Sequence, residues 1–284
     1  MMLEVFQFQF SKIKANPLTF LLVSITALTI LYIGYIHTAF AQSIAYLGVM
    51  WMCSFCIDFY ALRKKETETF EVRKPKLESF FFFSSFLLGM LFLYVRFSPS
   101  IDWQNLKGIL KLALLPLVLF LFPIALGIFL LVLKYKPREL GFRLQGFILI
   151  VPIIVISAIT NRLVSPQSLT WDNILLESGG IVGALYTGLI LAGLSEEFFR
   201  VVGQTRLAAL LNNTGLAWFS TTFLWAFMHA PKWYAQDPNL QEVILGSIRI
   251  IPIGLMWGYL TYRTKSVLPS IFVHGTNYWG LQNF

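Results

Sequence analysis

Two adjacent carboxylates and a guanidinium, in Ser195-Glu196-Glu197-Phe198-Phe199-Arg200, follow an uncharged apolar run from Gly179 to Leu194. An ionisable group at mid-membrane costs roughly 2.5–3.5 kcal/mol on insertion scales, so a cluster of them needs either chemistry or pairing to offset it. On a helix Glu196 and Arg200 share a face, and Glu197 points about 100° away from Glu196. The chain has three histidines. His229 ends Phe223-Leu224-Trp225-Ala226-Phe227-Met228-His229, and His274 is followed three residues later by Asn277, on the same helical face. Carboxylate, imidazole and amide groups from separate helices suffice for hydrolysis: a glutamate as general base on water, a histidine to orient that water or protonate the leaving amine, and a second histidine with an asparagine as oxyanion donors. Glu196, His229 and His274 could equally be a zinc ligand set, and residue types alone do not decide between the two. The plainer alternative is an ion pair and two histidines that merely hold membrane helices together.

The elements that must position these groups are membrane helices. Of 284 residues, 57% are hydrophobic and 13% charged, against about 25% charged in soluble domains. Apolar runs at 17–36, 41–62, 79–96, 109–133, 145–161, 179–201, 212–230, 241–262 and 266–281 approach the roughly 20 residues that span a bilayer. Backbone facing lipid must satisfy its own hydrogen bonds, so the runs are helices. The expectation is an all-α, polytopic membrane helical bundle of about eight or nine transmembrane helices. Residues 1–144 would carry about four spans with basic cytoplasmic loops, and 145–284 the polar, site-bearing part. The net charge of +8 reflects loop cations that set orientation, not nucleic-acid binding. Arg63, Lys64, Lys65, Arg73, Lys74 and Lys76, then Lys134, Lys136, Arg138 and Arg143, then Arg200 and Arg206, then Arg263 and Lys265, predict a multi-pass integral membrane protein with a cytoplasmic N-terminus. In that topology Glu196 lies toward the cytoplasmic side and His229 toward the outer side, so the helices must bring them together.

Other features read as structural. Cys53 and Cys56, three apart, are small apolar residues of one helix face. Gly254 and Gly258 allow close helix packing. The glycosylation sequence Asn212-Asn213-Thr214 falls in a cytoplasmic loop. Arg249 snorkels to an interface or, alternatively, pairs with Glu197. A proton-relaying transporter is a further possibility, but no internal repeat supports it.

Over roughly residues 180–281 these motifs resemble the CPBP family, the CAAX-processing and bacteriocin-processing intramembrane proteases. The family pattern is Glu-Glu-x-x-x-Arg, Phe-x-x-x-His and His-x-x-x-Asn/Asp, each on its own membrane helix. Gly258 to His274 is similar to the family's third-motif region, and Leu140-Gly141-Phe142-Arg143 to an upstream element. The resemblance implies helices around an intramembrane cavity and an endopeptidase that acts on a membrane-associated protein or peptide. A glutamate of the pair activates water with help from His229, and His274 with Asn277 stabilises the oxyanion. No metal is needed. It also admits a catalytically inactive scaffold or a bacteriocin-immunity protein. Here two residues, not three, separate the Glu pair from Arg200, so Ser195 aligns with the first Glu when the arginines are matched. Trp225 stands where the family has Phe, and Asn277 is third, with Tyr278 fourth, after His274. The base is therefore Glu196 or Glu197, and the oxyanion donor Asn277 or Tyr278.

Overall fold

The computed structural model describes residues 2–64, 69–97, 125–164 and 171–278, and contains no strand among them. The helices are α1 (Met2–Ala15), α2 (Pro17–Ile36), α3 (Phe40–Arg63), α4 (Pro75–Phe97), α5 (Ile150–Val164), α6 (Trp171–Ser178), α7 (Ile181–Leu211), α8 (Thr214–Phe227), α9 (Ala230–Gln236), α10 (Leu240–Arg249), α11 (Ile251–Thr264) and α12 (Leu268–Tyr278). Five stretches among the described residues are long and apolar enough to cross a bilayer: Pro17–Ile36, Phe40–Arg63, Phe147–Val164, Ile181–Leu211 and Leu240–Thr264. Leu87, Leu163 and Val182 are among many large apolar side chains left exposed, the pattern of a surface meant for lipid rather than water. The chain is thus an all-α polytopic membrane bundle. Most of the expected run 109–133 lies outside the described residues. The runs at 212–230 and 266–281 are shorter as helices, 14 residues in α8 and 11 in α12. Neither can cross a hydrocarbon core of about 30 Å alone. They pack instead on α7 and α11.

Local chemistry sets the breaks. Asn212 ends α7 with φ 50°, in the left-handed region, and Asn213 caps α8 by accepting from Leu216 N at 2.9 Å. The apparent sequon is therefore a helix–helix joint. Lys265 (φ 54°) ends α11 in the same way. Leu140-Gly141-Phe142-Arg143 braces the link between α11 and α12: Val267 N donates to the Gly141 carbonyl at 2.8 Å, and the Ser266 hydroxyl to that of Arg143.

The centre of the bundle is the stretch Leu240–Thr264, 61% buried against 22–28% for the other four spans. Val49, Cys53 and Ile57 of α3, Ile153 of α5, Trp225 of α8 and Trp257 of α11 form one buried cluster. Cys53 and Cys56 are free thiols, with Cys53 a packing residue. Phe82 of α4, Phe129, Tyr135 and Phe198 of α7 form a second cluster.

Three buried carboxylates each meet an arginine. Asp58 accepts from Arg263 Nε at 2.8 Å, Tyr259 OH at 2.6 Å and Gln9 Nε2 at 2.9 Å. Glu78 accepts from Arg206 Nε at 2.9 Å and Tyr135 OH at 2.7 Å, and Glu197 pairs with Arg200. Arg206 is therefore buried and bonded to α4, a correction to its reading as a loop cation. Burial, followed by the bond to Glu78, raises the Tyr135 hydroxyl above its ordinary range, so it stays a donor.

Candidate active site

The site is built on α7. Its segment Tyr186–Leu194 is π-helical, a widened turn common at functional sites. The widening lies before the Glu pair and leaves the spacing to Arg200 unchanged. It sets the phase in which Ser195–Leu211 leaves the turn. Two close approaches hold this segment against α12: a Cβ on Gly193 would lie 2.5 Å from the Ile271 carbonyl oxygen, and one on Gly275 3.0 Å from that of Gly188. Backbone contact at that range is open only to glycine.

The two glutamates have different surroundings. Glu197 is 1% exposed. It accepts from Arg200 Nη2 and, at 2.7 Å, from His274 Nδ1. Arg200, itself buried, donates its other terminal nitrogen to the Gly254 carbonyl and lies over the rings of Trp225 and Trp257, 5.0 and 5.3 Å from their centroids. Arg249 is not the partner of Glu197: that side chain is exposed at the end of α10. Glu196 has a side chain 29% exposed and lines a cavity of about 570 Å³. Its Oε2 accepts from Trp225 Nε1 at 2.5 Å and lies 3.6 Å from His274 Nε2 and 3.8 Å from His229 Nε2.

Acceptor chemistry fixes the ring orientations. A carboxylate or carbonyl oxygen can only accept, so His274 Nδ1 donates to Glu197, and His229 Nδ1 donates to the Trp225 carbonyl at 3.1 Å. Both Nε2 edges are left for the Glu196 side. Trp257 stacks on His274 at a centroid distance of 3.9 Å, and Trp225 meets His229 edge-on at 5.1 Å. Asn277, one turn beyond His274, lines the same cavity. The side chain of Tyr278 lies outside the described residues.

Glu196, Glu197, Arg200, His229, His274 and Asn277 thus lie in or against one cluster. The expected separation in depth between Glu196 and His229 does not arise, because α7 continues to Leu211 and Glu196 lies midway along it. Two contributors were not recognised from sequence: Trp225, seen only as a change from Phe, and Trp257. The signal for Trp225 was present, as an N–H donor one helical turn before His229. Among the described residues no group of three His, Cys, Asp or Glu is arranged to hold a metal ion.

Apolar walls complete the cavity: Phe81, Phe82 and Leu93 from α4, then Ala125, Ile128 and Phe129. Its size is within the range of small-molecule sites, and it combines an apolar chamber with a polar end where three groups converge.

No curated protein and no solved structure matches the chain. Residues 178–280, the stretch that supplies every one of these polar groups, match the family model described as type II CAAX prenyl endopeptidase Rce1-like, in line with the CPBP resemblance carried by the three motifs.

Proposed function

We infer that the protein is an intramembrane endopeptidase in which Glu196 is the general base. The observation that carries this is the convergence of the two Nε2 atoms, at 3.6 and 3.8 Å, on one oxygen of a cavity-lining carboxylate. A gap of 3.8 Å between Glu196 and His229 has room for one water placed beside it with hydrogen bonds of about 2.8 Å to each. With Nδ1 of His229 committed as a donor, Nε2 of the neutral ring accepts. The water then donates one proton to each acceptor and presents its lone pair to a substrate carbonyl.

Attack forms the C–O bond as Glu196 takes the proton. This step requires His274 to carry a proton on each ring nitrogen, so that its Nε2–H and the Asn277 amide meet the negative charge on the former carbonyl oxygen. Glu197 fixes the orientation of the His274 ring through Nδ1. Collapse breaks the C–N bond, and the proton held by Glu196 passes to the leaving amine, with His229 placed to assist. A positioned base contributes about 10²–10⁴-fold, and one oxyanion donor about 10²–10³-fold. Glu197 and Arg200 hold the frame.

The substrate class is a membrane-associated protein or peptide whose apolar portion enters the chamber lined by Phe81, Phe82 and Phe129. The matched family's description extends the proposal to lipidated C-terminal peptides. The N-terminus on the cytoplasmic side belongs to the same reading. The test is cleavage of lipidated and unlipidated peptides in proteoliposomes by the wild type and by Glu196→Gln, Glu197→Gln, His229→Ala and His274→Ala. Loss of turnover in Glu196→Gln is expected. Full activity in that variant would refute Glu196 as base, and no cleavage by the folded wild type would leave a non-catalytic scaffold.

A further inference from the structure

The family pattern given above does not account for the orientation of Glu196. Arg200, one residue closer to the pair than in that pattern, is spent on Glu197 and the Gly254 carbonyl. Neither histidine reaches Glu196 within hydrogen-bond distance. Among the described residues, the donor that does is the indole of Trp225, at 2.5 Å. A phenylalanine in its place has no proton to give.

The indole is itself closely packed. Trp225 is 3% exposed. Its ring meets those of His229, Trp257 and His274 edge-on, at centroid distances of 5.1, 5.7 and 5.8 Å, and the Arg200 guanidinium lies over it. Room for the larger ring comes from Gly254, where a Cβ would fall 2.6 Å from the indole Cζ3. The side chain that aims Glu196 is thus locked by the groups that act with Glu196. We propose that Trp225 is the positioning residue of the general base, its indole N–H directing the Glu196 carboxylate at the water site in place of the arginine that Glu197 occupies. This rests on the proteolytic reading above.

The decisive variant replaces Trp225 with 3-benzothienylalanine, introduced by amber suppression. The ring keeps its shape and its stacking but has sulfur for N–H. The loss of a hydrogen bond to a charged group predicts a fall in kcat of about 10- to 100-fold, with KM within about twofold because the indole N–H is already committed to Glu196. Trp225→Phe falls at least as far. A readout independent of turnover is the indole N–H resonance in detergent-solubilised, ¹⁵N-labelled protein. The chain has eight tryptophans, and the signal of Trp225 is assigned by its loss in Trp225→Phe. It is expected downfield in the wild type and shifted upfield in Glu196→Ala. An unshifted resonance in Glu196→Ala overturns the proposal, and so does a benzothienyl variant that keeps wild-type kcat. If the wild type cleaves nothing, the proteolytic reading fails and with it any positioning of a base, while the resonance still reports whether the bond exists.

Discussion

Replacing each of two adjacent glutamates by glutamine should separate stability from turnover. Glu197 is 1% exposed and accepts charge-assisted bonds from Arg200 and His274. Glu197→Gln keeps the shape and removes the charge, leaving Arg200 buried with a carbonyl and two indole faces. Breaking a buried ion pair by removing one partner costs about 3–5 kcal/mol. Glu196 has a side chain 29% exposed and, among the described residues, one side-chain hydrogen bond, from Trp225. Charge-assisted bonds, worth about 1.5–3 kcal/mol, are roughly twice as strong as neutral ones, so Glu196→Gln costs about 1 kcal/mol. Reversible unfolding in mixed micelles, titrated with SDS and followed by far-ultraviolet circular dichroism, measures both. In proteoliposomes the order inverts: Glu196→Gln lowers kcat/KM by about 10³-fold, and Glu197→Gln, assayed well below its unfolding temperature, by much less. Equal destabilisation by the two substitutions, or a greater loss from Glu196→Gln, would refute the assignment of one carboxylate to the frame and the other to the chemistry.

Arg206→Ala, which strands the buried Glu78 carboxylate, should destabilise by about 3–5 kcal/mol, measured in the same SDS titration, and leave KM unchanged. Gly203→Ala places a Cβ 2.5 Å from the Phe82 ring and should cost about 1–3 kcal/mol by overpacking, seen as a lower Tm in detergent. Asn277→Ala should lower kcat by about 10²–10³-fold with little change in the unfolding midpoint. Treatment with 1,10-phenanthroline should leave turnover within about twofold. Loss of activity that added zinc restores would instead assign Glu196, His229 and His274 as metal ligands.

The helical architecture was legible because lipid allows so few alternatives: uninterrupted runs such as those at 17–36 and 41–62 have no other way to satisfy their backbone. The candidate site residues stood out because an ionisable group in such a run is costly enough to require pairing or chemistry. What could not be read was how the helices face one another. Glu196 and Glu197 differ by one residue and about 100° of helix, so which of them meets the cavity depends on the phase delivered by the π-helical segment Tyr186–Leu194, and sequence periodicity does not report that segment. The pairing of Arg206 with Glu78 joins residues 128 positions apart, and local reading placed that arginine in a loop. Trp225 looked like a tolerated aromatic change because its ring suits a core. Only the meeting of α7 and α8 turns its N–H toward a carboxylate.

The pairing of Glu197 with Arg200 bears on how the chain is made. The two groups are three residues apart on one helix, so they neutralise one another as soon as that turn forms. Gly254 and His274, their other partners, are synthesised later. A segment entering the bilayer from the translocon therefore presents a self-compensated dipole in place of two bare charges, and the insertion penalty falls before any tertiary contact exists. In the folded protein Arg200 stays with Glu197, and Glu196 is left facing the cavity. Pairing within one helical turn thus lets the framework charges enter lipid together and leaves one carboxylate to be completed by helices that arrive afterwards.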